Sequence, residues 1–118
     1  MLPAAMDDPD LYVVQERRRR RDKRNEGDES WYTMNGLNIA MAEEEMARAT
    51  ARKVVPLHPR AVPWPPPLLS RPGAERLARH WAECDPGTEV RLYRVTPGMP
   101  VPACSDDDDP QAVPVPAR

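Results

Sequence analysis

Residues 54–72 read VVPLHPRAVPWPPPLLSRP, and this stretch constrains the chain more than any other. Each proline lacks a backbone N–H and fixes φ, so neither a helix interior nor an inner strand tolerates such density. The stretch is therefore expected to run as an extended, polyproline-like connector. Whatever folds must be assembled from the segments on either side of it.

Upstream, LYVVQERRR from Leu11 is rich in β-branched and aromatic residues and reads as a strand. RDKRNEGDE supplies turn chemistry, with Asn25 and Gly27 suited to positive φ. SWYTM, residues 30–34, reads as a second strand, so the two form a β-hairpin with a long connection. In the following NGLNIAMAEEEMARATARK, Asn35 or Asn38 can cap a helix through its side-chain oxygen. Ile39, Ala42, Met46 and Ala49 recur at helical spacing. Glu44 and Arg48 stand as an i,i+4 pair, and Arg48, Arg52 and Lys53 favour the C-terminal end of the macrodipole.

Downstream, Ser70 is a candidate cap for a second helix whose Ala74, Leu77, Ala78 and Trp81 share one face. Glu75 with Arg79, and Arg79 with Glu83, are spaced as ion pairs on the polar side. Asp85-Pro86-Gly87 stops this helix. TEVRLYRVT then alternates as a third strand, with Val90 and Leu92 on one face and Glu89, Arg91 and Tyr93 on the other, which is expected to be wet. Residues 97–118 lack periodicity and are expected to be disordered, as are residues 1–9. The predicted fold is α+β: a small two-layer β-β-α-(Pro-rich connector)-α-β sandwich spanning residues 10–96, with disordered termini. The third strand must return beside the first or the second, and both arrangements remain open.

The segments LYVVQERRR, SWYTMN, AEEEMARA and DPGTEVRLYRV resemble those of small uncharacterised α+β proteins from high-GC bacteria and their phages. The resemblance covers the foldable parts and neither the connector nor the tails. It implies a phage or bacterial accessory protein of the same fold, and it carries no activity over. The excess of arginine over lysine points to the same kind of genome.

Composition narrows the function classes. With 16 prolines and no phenylalanine in 118 residues, roughly 70–80 residues are left to fold, a size at which one core is marginal. A homodimer would ease that shortage. The net charge of −2 argues against a general polyanion binder. Two cysteines, Cys84 and Cys104, make no disulfide framework. The N-terminus lacks the pattern of a secretory signal, and no apolar run reaches membrane-spanning length, so a cytoplasmic protein is expected. No phosphate-binding glycine loop, nucleophile elbow or spaced carboxylate pair is present. The chain reads as a non-enzymatic binding module without cofactor or metal.

Two surfaces are candidates for binding. Residues 17–21 are all arginine, and Lys23 and Arg24 follow. On a strand only alternate side chains share a face, so Arg17, Arg19 and Arg21 would form one surface and Lys23 and Arg24 the tip. Such a surface would take phosphates of nucleic acid, or an acidic protein, with Tyr12, Trp31 and Tyr32 available for stacking. The competing readings are a solvated tip that protects a strand edge, which composition favours, and a nuclear-targeting signal. The other candidate is the R-x-x-P-x-x-P spacing of Arg60, Pro63 and Pro66 around Trp64, which suits an aromatic-lined partner groove. Its competitor is a stiff spacer with Trp64 packed back on the domain. His80 and Cys84 lie four apart on one helix face but bring too few ligands for a metal. They read as a surface histidine beside a partly buried structural cysteine. The four aspartates at 106–109 read as a solubilising tail or as an intramolecular screen for the arginines.

Overall fold

The computed structural model describes residues 10–18, 30–50 and 62–116. The 1–9 leader, Arg19, Arg21, Lys23, Arg24, the connector's first half with His58 and Arg60, and the last two residues lie outside them. Five strands and two helices follow in the order β1 (Leu11–Arg18), β2 (Trp31–Thr33), α1 (Gly36–Thr50), α2 (Arg71–Cys84), β3 (Thr88–Val95), β4 (Cys104–Ser105) and β5 (Ala112–Val113). The strands form one antiparallel sheet in the order β4-β2-β1-β3-β5.

β1 is central, and β3 returns beside it over its whole length, from Leu11 opposite Val95 to Arg18 opposite Thr88. On its other side β2 pairs with Gln15 and Glu16. The vacancy beside the first half of β1 is filled by the end of the proline-rich segment. Leu69 exchanges both backbone hydrogen bonds with Tyr12, at 2.8 and 2.9 Å. That explains how so many prolines are accommodated: residues 62–69 form only an isolated bridge and need few donors.

Both helices begin for local reasons. Asn35 is the α1 cap, its Oδ1 accepting from the backbone N–H of Asn38 at 2.9 Å. The expected Glu44–Arg48 pair forms at 2.6 Å. α2 starts after Ser70, which makes no side-chain cap bond, and carries a proline in its first turn, where the missing N–H costs nothing. Its polar face differs from the expected pairing: Glu75 meets Arg71, while Arg79 reaches the carbonyl of Pro116. At its end Asp85 accepts from the Thr88 hydroxyl at 2.9 Å, turning the chain into β3.

The main core joins Tyr12, Val14 and Leu92 to Met34, to Ile39 and Ala42 of α1, and to Ala74, Leu77 and Ala78 of α2. The opposite pleats of the same strands, Val13, Tyr93 and Val95, gather Met99 and Val101 into a second cluster. That second cluster overturns two expectations. Residues 97–116 are ordered, supplying both edge strands, and the β3 face holding Arg91 and Tyr93 is buried beneath them.

Candidate functional site

Polar side chains on the β3 face are held by the tail. Arg91 is 6% exposed, and its guanidinium donates to Gln15 Oε1 at 3.0 Å, the Asp107 carbonyl at 2.9 Å, and both Ser105 Oγ and the Asp106 carbonyl at 2.7 Å. Ser105 donates in turn to Gln15 at 2.8 Å, and Gln15 donates to Thr33 at 3.1 Å. Burial pulls the Arg91 pKa down, against the charges of Asp107 and Asp109. A buried guanidinium with this many acceptors is a structural tie rather than a ligand site.

Arg17 belongs to the same tie. Its side chain bonds Glu89 at 2.8 Å and Asp107 at 3.0 Å, and its guanidinium carbon lies 4.5 Å from the centre of the Trp31 ring. Arg91 stands at the same distance from that ring. The Asp107 carboxylate also accepts from Trp31 Nε1 at 2.8 Å. That hydrogen bond, then the charges of Arg17 and Arg91, hold its pKa below the usual carboxylate range, with desolvation acting the other way. The acidic run thus screens at least Arg17. Tyr12 and Trp31 are buried, so neither offers a stacking face; Tyr32 is exposed.

The connector residues divide between the two readings of them. Pro63 and Trp64 are exposed, Trp64 at 44%, so the tryptophan keeps an accessible face while the rest of its surface is covered. Pro66 is buried, which removes it from any partner groove. The segment is pinned to the start of α1, where the Gly36 N–H donates to the Pro63 carbonyl at 2.8 Å. A Cβ at Gly36 would collide with the Val62 carbonyl, so glycine is what permits the approach. Exposed Val62 and Trp64 thus belong to a segment held at the start of α1, where Leu37 and Met41, one helical turn apart, are exposed as well. These four exposed apolar residues come from two separate stretches of sequence.

A cleft of about 930 Å³ opens between the helices, walled by Met46, Leu77 and Arg76 among others. At its rim His80 Nε2 stands 3.1 Å from the Glu45 carboxylate and 3.5 Å from Cys84 Sγ. Cys84 is exposed and His80 half-buried, the reverse of the expected arrangement. Glu45 was hidden to sequence reasoning because it comes from the other helix.

No protein-family model, curated protein or solved structure matches the chain. The resemblance to small bacterial and phage proteins accordingly rests on the sequence motifs alone.

Proposed function

We propose that this protein is a non-enzymatic interaction module that docks an apolar segment of another protein on the patch formed by Leu37, Met41, Val62 and Trp64. The observation that carries this reading is that Val62 and Trp64 are exposed in a segment hydrogen-bonded to the start of α1, where Leu37 and Met41 are exposed too. Contiguous exposed apolar surface marks interaction sites, and tryptophan and methionine are enriched at their centres. The test is selection of peptides from a displayed random library on the wild-type protein, counter-selected on the Met41→Asp variant. Enrichment of sequences with aromatic or aliphatic anchors supports the reading, and enrichment of none contradicts it. Sedimentation velocity of the same sample identifies the case in which a second copy fills the patch.

A second reading keeps the basic segment as a surface for nucleic acid or an acidic protein. It is favoured by one fact: β1 and β2 are antiparallel neighbours, and Arg19, Arg21, Lys23 and Arg24 fall in sequence between them. Arg17 is committed to Glu89 and Asp107 and would contribute little. Anisotropy of labelled oligonucleotides at roughly 50–200 mM salt decides this reading, because each phosphate neutralised steepens the salt dependence. Absence of binding at the lowest salt removes nucleic acid as the partner.

A further inference from the structure

We infer that Glu45, His80 and Cys84 form a zinc-binding site that clamps α1 to α2. The three donor atoms lie within 4.8 Å of one another. Two of the separations are 3.1 Å, from His80 Nε2 to Glu45 Oε2, and 3.5 Å, from His80 Nε2 to Cys84 Sγ. Bonds of roughly 2.0–2.3 Å at tetrahedral angles place ligand atoms about 3.3–3.6 Å apart, so two separations are already near that spacing and side-chain rotation of the exposed Glu45 and Cys84 would close the third. His80 and Cys84 share a helix face at i,i+4, while Glu45 approaches from α1.

The contacts around Nε2 point the same way. The carboxylate and the thiol converge on one ring nitrogen, which carries at most one proton and satisfies at most one of them as a donor. A cation that replaces that proton meets all three donors together. Binding then releases the Cys84 thiol proton, and any proton on Nε2, to solvent. The resulting ligand set of thiolate, imidazole and carboxylate carries two negative charges. A thiolate with an imidazole selects zinc over magnesium or calcium, and three protein ligands leave a fourth position for water.

The fold also has a use for such a clamp. α1 places only Ile39 and Ala42 fully in the core, with Met46 packed half-buried against it, a thin hold for a helix of 15 residues. Metal ions commonly supply what a small core lacks. An ion at Glu45 would fix the helix's second half against α2, where Met46 is, among the described residues, the one α1 residue packed on the core.

Cobalt(II) titration of the reduced full chain tests the site, since a thiolate ligand gives a charge-transfer band in the near ultraviolet. The expected result is a saturable band with tetrahedral visible absorption, reversed by added zinc. It should vanish in Cys84→Ser and persist in Cys104→Ser, the control for the other exposed thiol. Glu45→Gln and His80→Asn should each weaken binding at least about tenfold, because even outer-shell partners are worth roughly 10–100-fold. Glu45 and Cys84 are solvent-exposed, and matching circular dichroism spectra verify that their variants are folded. Absence of a band at a roughly tenfold excess of cobalt, a band that survives Cys84→Ser, or affinity unmoved by both Glu45→Gln and His80→Asn would overturn the assignment.

Discussion

Replacing Arg91 with methionine should destabilise the protein by detaching its C-terminal strap. The guanidinium makes four hydrogen bonds, to Gln15, Ser105 and the carbonyls of Asp106 and Asp107. Methionine fills most of the volume but donates none of them. Gln15 Oε1 keeps its bond from Ser105 at 2.8 Å, whereas the two carbonyls must turn toward water. Hydrogen bonds from a charged donor are worth about 1.5–3 kcal/mol each. The cost of burying the guanidinium offsets part of that sum, while each buried acceptor left without a partner costs about 1–3 kcal/mol. A loss of about 3 kcal/mol is therefore expected. With unfolding entropy near 2.1 cal/mol/K per residue over the roughly 85 described residues, the melting temperature should fall by about 17 °C. Thermal denaturation followed by circular dichroism measures this, and limited proteolysis should show earlier cleavage within residues 97–116. A fall of less than about 3 °C, equivalent to about 0.5 kcal/mol, would refute the view that Arg91 holds the strap.

Stability should fall at both ends of the pH scale. The folded Asp107 pKa lies below its unfolded value near 3.9, so its contribution is complete above that value and disappears as pH drops through the lowered one. Tyr93 is pushed up, first by burial and then by the hydrogen bond to Asp109 and its charge, so its contribution is complete below about 10 and is lost as pH rises through the raised value. Melting temperature against pH should flatten at the acid end in Asp107→Asn and at the alkaline end in Tyr93→Phe; unchanged profiles would contradict both assignments. Gly36→Ala should cost about 1–3 kcal/mol, by analogy with overpacking, because the new methyl pushes against the Val62 carbonyl. Chemical denaturation measures that cost, and a neutral result would mean that the connector is not pinned at α1.

Much of the fold is legible in the sequence because its elements carry local signals. The Asn35 cap, the Ile39–Ala42 spacing, the Ala74–Leu77–Ala78 face and the Asp85-Pro86-Gly87 stop are each encoded within a few residues. Residues 97–116 have no such signal. Their order comes from partners outside the segment, above all Arg91, whose alternation on β3 places it on the correct face. What alternation cannot say is whether a polar face meets water or another segment. A polar tail with four consecutive aspartates and its backbone carbonyls can cover a buried arginine, and that complementarity was the available clue. The candidate surfaces failed to show for the same reason. The apolar patch depends on Gly36 admitting residues 62–63, and the Glu45–His80–Cys84 group is split between two helices.

The central claim, that the patch at the start of α1 receives a partner, is tested most directly by titrating the best-enriched displayed peptide into wild-type protein and the Trp64→Ala variant. Trp64 is 44% exposed and belongs to neither core cluster, so its removal should leave the melting temperature within a few degrees of wild type. Truncating an anchoring tryptophan at an interface costs about 2 kcal/mol or more. The account therefore predicts that Kd rises roughly thirtyfold, by the same free energy. A Kd within about twofold of wild type, which is less than about 0.5 kcal/mol, would contradict it.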